Sequence, residues 1–346
     1  MIFIPRKTIY NDLTSPEQIE KISKENKELV KEYIGYLKSI SRAKTTIQAY
    51  QSDCDIFFVW NMENNNNKFF IDLTKRDVIR YQNYCLEDLH HSPNRLRRLK
   101  ATLSSLSNFI EAILDDTDGF KGFRNIINKI PNPEKQPTRE KTILTEEQIK
   151  YLLDYLVEHK KYSEACVLAL ALASGSRKSE LLRFKVSYFT YDNIIYDSLY
   201  KTPEKIKTKG RSKGKMLEKF TLVKRFKPYF DMWIKQREEF GITREELFWN
   251  YRQGEWILSD ISTLNSYALT FSKILNCDFY WHSCRHFFTT YLAESGLPIE
   301  VIKEICGWSE ISMVSLYTDT KLENTLGKYF SADGIRKQEK KELTDL

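Results

Sequence analysis

Over residues 21–115 the apolar positions recur at helical spacing. "KISKENKELVKEYIGYLKSI" at 21–40 puts Ile22, Leu29, Val30, Tyr33, Ile34 and Leu37 on one stripe. "SRAKTTIQAYQSDCDIFFVWNM" predicts a second helix, Thr45 or Thr46 near its start and Ile47, Tyr50, Ile56, Phe57 and Trp60 inward. The poor helix formers of "ENNNN" at 63–67 predict a loop. A third helix opens at Thr74 as N-cap with Asp77 three positions on, the pattern of a capping box. A fourth opens at Ser92 as N-cap with Pro93 at its first position.

Past 115 the pattern breaks. "IPNPEKQPTREKT" at 130–142 has three prolines among charged residues and no apolar period, the composition of a linker. A new helix then opens at Thr145, with Gln148 completing a capping box. "YSEACVLALALASG" is apolar all round and predicts a buried helix. "YFTYDNIIYDSLY" and "KMLEKFTLV" are rich in Tyr, Ile, Phe and Thr and predict strands. Helices are expected from about 224 onward, including "LPIEVIKEICGW" ending at Gly307 and a short one over "ISMVSLYTD". The expected division is a lead-in over 1–20, a helical domain over 21–115, a linker over 116–140, a second domain over 141–335 and a charged tail over 336–346. The fold class expected is mainly α with a small antiparallel β-sheet. No internal repeat is visible.

Composition narrows the class. At 41% apolar and 29% charged, with 12 Gly and 9 Pro, the chain reads as a folded protein. The longest apolar run, "ACVLALALA" at 165–173, is too short to span a bilayer, and no basic region precedes a long apolar one at the N-terminus. Neither export nor membrane insertion is expected, which points to the cytoplasm. The six cysteines form no C-x-x-C and no zinc-ligand spacing, so they read as reduced core thiols and no metal is expected. The formal charge of +7 permits a polyanionic partner without demanding one.

Four stretches carry candidate chemistry, and each alone has an ordinary structural reading. In "SGSRKSELLRF", Arg177 and Glu180 are three apart and could be a surface ion pair. Between Lys201 and Lys227 stand eleven Lys/Arg and two Glu, around the Gly-punctuated "KTKGRSKGKMLEKF". That is a good shape for touching phosphate, though not a P-loop, and it could also be a solvated hairpin. In "WHSCRHFFTTYL", His282 and Arg285 sit three apart near the start of an apolar helix, where a phosphate would suit both. In "CGWSEISMVSLYTD", Trp308 and Tyr317 could both be core. Arg95, Arg97, Arg98 and Lys100 add a basic cluster on the fourth helix, either a solvated face or a DNA contact.

Taken together the set is far more specific. G-x-R-x-x-E-L at 175–181, H-x-x-R-H at 282–286, and a Gly-Trp pair followed nine residues later by Tyr317 resemble the tyrosine recombinase (phage integrase) family. The resemblance covers about 40 to 330. It implies a helical core-type DNA-binding domain followed by an α+β catalytic domain, the two forming a clamp on duplex DNA. It implies that Tyr317 attacks a scissile phosphate to give a 3′-phosphotyrosyl link and a free 5′-hydroxyl, without ATP, metal or other cofactor. Arg177 and Arg285 would hold the non-bridging oxygens, and His282 would assist proton transfer. Lys209 would protonate the 5′-oxygen, with Lys207 and Lys213 as rivals. Lys207, Arg211, Lys213 and Lys215 would also touch DNA backbone. Glu180 would orient the site from behind. Most members have His where this chain has Trp308, whose indole can donate a hydrogen bond but cannot take a proton. The family works as homotetramers on DNA that exchange C-terminal segments. Two other readings stay open here: a type IB topoisomerase-like enzyme, and a non-catalytic helix-turn-helix regulator. The target sequence and host element are not legible in the chain.

Overall fold

The computed structural model describes residues 13–134, 144–208, 216–308 and 310–312, and the backbone of 330–331 and 334–335. These divide into two compact units, one formed by 13–134 and the other by the residues from 144 on.

The first unit is all helical: α1 (Pro16–Glu20), α2 (Lys24–Ser39), α3 (Lys44–Asn64), α4 (Lys75–Asn83) and α5 (Pro93–Ile113). The starts lie where the local chemistry puts them. Thr74 and Asp77 form a reciprocal capping box, and Ser92 accepts from the Arg95 N–H with Pro93 opening α5. Thr45 and Thr46 stand in the first turn of α3, near its start as expected. Ala43 takes the N-cap position with no side-chain bond. That helix is held by burial instead. Ile56, Phe57, Phe58, Val59 and Trp60 are all buried, because α3 runs through the middle of this unit. Phe57 lies edge-on to Tyr81 at 4.9 Å and to Phe70 at 5.9 Å. The first half of the stretch expected as a linker is not loose. Ile127 and Ile130 lie in this core, and Asn125 donates to the Ser104 carbonyl and to Asn108.

The second unit is built around α7 (Tyr162–Ser174), which follows α6 (Glu146–Glu158). Every residue of α7 from Ala165 to Ser174 is buried, so it is the shared wall against which other elements pack. α8 (Lys178–Leu181) follows, then β1 (Ile194–Ile195), β2 (Leu199–Lys201), the hairpin β3 (Ile206–Lys207) and β4 (Met216–Leu217), and β5 (Phe220–Leu222). The strands are shorter than the Tyr/Ile-rich run suggests, because its first half folds into 3-10 turns over Val186–Phe189 and Tyr191–Asn193. One antiparallel sheet has the order β1-β2-β5; β3 pairs only with β4. Helix α9 (Val223–Glu239) follows, and then an element that the expected run of helices omits. This is the hairpin β6 (Trp249–Arg252) and β7 (Glu255–Leu258), turning at Gln253 and Gly254 with φ of 51° and 88°. A Gln where Asn or Asp is usual hid that turn. Helices α10 (Ile261–Leu275), α11 (Trp281–Glu294) and α12 (Ile299–Cys306) complete the unit, with a short pair β8 (Phe330–Ser331) and β9 (Gly334–Ile335). The observed class is the one expected, mainly α with small antiparallel sheets. Among the described residues no helix is long and apolar enough to cross a membrane.

Candidate active site

Helix α7 ends at Gly175 with φ 55°, a left-handed cap. A Cβ there would stand 2.3 Å from Cδ1 of Phe288 on α11, so only glycine lets the two helices approach this closely. The chain then turns into α8 with Arg177 and Glu180 at its start. Glu180 is fully buried. Its Oε1 accepts from Nη1 of Arg177 at 2.9 Å, and its Oε2 accepts from the Arg177 backbone N–H at 3.1 Å and from Nζ of Lys219 at 2.6 Å. Burial alone would raise the Glu180 carboxyl. The Lys219 ammonium and the two Arg177 donors outweigh it and hold it below the usual carboxylate range. The Arg177–Glu180 pair therefore exists, but with its carboxylate buried and its guanidinium only partly exposed.

Lys219 was not among the residues the sequence singled out. It is 1% exposed and stands one residue before β5. A signal was available: in "LEKFTL" the period of two puts Lys219 on the same face as the buried Thr221. Its backbone is fixed both ways to Thr202, giving an N–H to Oγ1 at 3.0 Å and accepting the Thr202 N–H at 3.0 Å. Burial pushes the Lys219 ammonium below the usual lysine range despite Glu180, and Arg285 and Arg177 push the same way.

Helix α11 is anchored by Trp281, whose Nε1 donates to the Leu264 carbonyl of α10 at 2.6 Å. His282 and Arg285 follow at i and i+3, yet their surroundings differ. His282 is exposed, its ring 5.3 Å from that of His286. Arg285 is 1% exposed. Three residues of helix leave about 60° between two side chains, enough to separate rim from interior. Nη1 of Arg285 donates to the Gly175 carbonyl at 2.7 Å and Nη2 to the Cys306 carbonyl at 2.7 Å. Its guanidinium carbon lies 4.8 Å from the ring centroid of Trp308, itself buried. One side chain thus ties the ends of α7 and α12 to α11.

The lysine hairpin packs onto the same place. Gly307 caps α12 with φ 67°, and a Cβ there would stand 2.1 Å from Cδ1 of Leu217 on β4. Gly307→Ala is expected to cost about 1–2 kcal/mol, mostly from the left-handed backbone, since the Leu217 tip can rotate away. Urea denaturation checks the stability, and an unchanged midpoint would contradict the left-handed cap at Gly307. Lys207 lies exposed on β3, its carbonyl accepting from Arg183. Lys209, Arg211, Lys213, Lys215 and Tyr317 lie outside the described residues.

The basic cluster of α5 splits in two. Asp53, 1% exposed, accepts from Arg95 at 3.0 Å, Arg98 at 3.3 Å and Thr102 at 2.9 Å. Arg95 and Arg98 thereby stay near the surface with one end fixed. Lys100 is 3% exposed and its ammonium donates to the carbonyls of Ile130 and Pro131. That placement counts against Lys100 as a DNA contact: its charge is used on the chain that follows α5. Arg97 donates to the Pro133 carbonyl at 2.8 Å in the same manner, though it remains half-buried.

So Arg177, Glu180, Lys219, Arg285 and Trp308 come together from α8, the start of β5, α11 and the end of α12, with His282 at the rim of α11. Arg177 and Lys219 are bonded to the Glu180 carboxylate and Arg285 stands near Lys219; Lys219 and Arg285 are buried and Arg177 is partly exposed. Such a site is complementary to an anion, and two guanidinium forks suit the oxygens of a phosphate.

Comparison with known proteins agrees with that chemistry. Residues 142–323 match the model of the phage integrase family. The SPbeta prophage-derived recombinase-like protein YomM of Bacillus subtilis (strain 168) is 31% identical over 237 residues, covering 68% of this chain and 68% of that protein. Two solved structures share the fold. The XerH site-specific recombinase bound to palindromic difH substrate aligns with a TM-score of 0.62 at 14% identity, over 92% of this chain and 89% of that one. A lambda integrase (75–356) dimer bound to a COC′ core site aligns with a TM-score of 0.62 at 16% identity, over 85% and 95%.

Proposed function

The chain belongs to the phage integrase family of tyrosine recombinases, and we propose that, as a site-specific DNA recombinase, it breaks and rejoins duplex DNA through a covalent link to Tyr317. The observation that carries this is the meeting of the partly exposed Arg177 and the buried Arg285 beside the buried Glu180–Lys219 pair. The recombinase relatives do not favour the topoisomerase-like or regulator readings.

In the proposed reaction the Tyr317 oxygen attacks phosphorus and the bond to the 5′-oxygen breaks. The phosphotyrosyl ester keeps the bond energy, so the 5′-hydroxyl of a partner strand can reverse the step without ATP. A free phenol has a pKa near ~10, so its proton must leave as the bond forms, with His282 assisting. Arg177 and Arg285 stabilise the charge that builds on the non-bridging oxygens. Both are fixed from behind, Arg177 by Glu180 and Arg285 by two carbonyls, so little reorganisation is needed as the charge develops. Lys209 of the basic hairpin is the proposed acid for the 5′-oxygen, with Lys207 and Lys213 as alternatives. Trp308 supports Arg285 through its ring face and takes no proton.

Duplex DNA is the partner. Arg95 and Arg98, held by Asp53, and the hairpin residues Lys207, Arg211, Lys213 and Lys215 are proposed to touch its backbone, with Arg97 contributing less. We place the reaction in the cytoplasm, on a homotetramer that exchanges C-terminal segments and integrates or excises a mobile element. The test is capture. The full chain is incubated with fragmented host DNA carrying the element's ends, and DNA that survives SDS and phenol on the protein is sequenced. One recurrent site joined through its 3′ end, with a 5′-hydroxyl that a kinase labels, is the expected result. Scattered sites, or a 5′ link, would overturn the reading.

A further inference from the structure

The Glu180 carboxylate is held at both oxygens. Oε1 takes the guanidinium of Arg177, while Oε2 takes the Arg177 backbone N–H at 3.1 Å and Lys219 in the shortest of the three bonds, at 2.6 Å. The Arg177 guanidinium can hold one direction only if the carboxylate cannot rotate, and rotation is stopped from the Oε2 side. Lys219 is well placed to stop it. Its side chain is 1% exposed and its backbone is bonded in both directions to Thr202, so the ammonium comes from a rigid strand. Its stem therefore needs little ordering to hold the bond.

Stability alone does not explain a lysine here. A buried ion pair often gains no more than well-packed apolar side chains of the same size would, and a Met would fill this volume. This lysine also lies close enough to Arg177 and Arg285 to be repelled by both.

On the recombinase reading above, we infer that Lys219 is a positioning residue: it locks Glu180, and through Glu180 it sets the direction of Arg177 toward the scissile phosphate. It does not touch DNA in this role. Its removal should slow cleavage without weakening DNA binding.

The experiment compares the wild-type chain with K219M, K219R, R177A and the R177A/K219M double variant on a nicked duplex of the captured site. K219M is expected to form covalent adduct about 10–100-fold more slowly, the range for lost outer partners of a functional group, while its DNA affinity stays unchanged. K219R, which keeps the charged donor, is expected to recover most of the rate. The double variant is expected to be no slower than R177A, because the two side chains act through one path. An adduct rate for K219M equal to wild type, or fully additive losses in the double variant, would overturn the inference.

A second readout does not depend on cleavage. Phenylglyoxal modifies accessible, mobile guanidinium groups, and peptide mass spectrometry reports the rate at Arg177. K219M and E180Q are each expected to speed modification of Arg177 several-fold, and unchanged rates would count against Lys219. Should K219M fail to fold, as judged by thermal melting, E180Q carries this arm. If the wild-type chain forms no adduct with any captured DNA, the recombinase reading falls, and the Arg177 modification rates still decide whether Lys219 sets that side chain.

Discussion

Arg285→Ala is expected to lower stability by about 2–4 kcal/mol and to slow DNA cleavage by about a hundredfold to a thousandfold. The two losses have different origins. In the folded chain the guanidinium donates to the Gly175 and Cys306 carbonyls, 110 and 21 residues away in sequence. Bonds from a charged donor contribute about 1.5–3 kcal/mol each, and relief from burying the cation offsets part of their loss. The Trp308 ring also loses the cation against its face. The kinetic loss comes from the missing fork at the phosphate. Arg285→Lys separates the two effects. It keeps the charge but cannot span both carbonyls, so stability falls while part of the rate remains. Urea denaturation gives the first quantity and adduct formation on a nicked duplex the second. An alanine variant that cleaves within threefold of wild type would remove Arg285 from the site.

Tyr317→Phe is expected to abolish the covalent adduct, a loss of at least about a thousandfold, since nothing replaces a missing nucleophile. Only one oxygen is removed, and DNA affinity is set mostly by phosphate contacts elsewhere, so binding should change less than about twofold. The chain has 20 tyrosines, and Tyr317 lies outside the described residues, so the identity of the nucleophile needs its own measurement. Digesting the trapped adduct and locating the nucleotide-bearing peptide supplies it. Adduct formation by the Phe variant, or a labelled peptide from another position, would reassign the nucleophile.

Caps and periods were the most legible part of this chain. Thr74 with Asp77, Ser92 with Pro93, and Thr145 with Gln148 start helices in the structure as their spacing predicts. These bonds span three residues, so the local chain contains both partners. The buried α7 was equally plain, because an apolar run without a polar face has to be covered. The β6–β7 hairpin was missed because its turn uses Gln253, and Lys100 was read as a surface charge because its carbonyl partners lie 30 and 31 residues away.

The amino-acid sequence by itself determined the helical starts, the residue types at the site and the family, since each depends on identity and spacing. Only the tertiary structure decided which cations are interior. Arg285 and His282 are three residues apart, yet one lies beneath α7 and α12 and the other at the rim. Lys219 is one lysine among many in its stretch until the fold brings it to Glu180, 39 residues earlier. Burial and long-range pairing depend on where distant segments meet, and no local pattern contains both sides of that meeting.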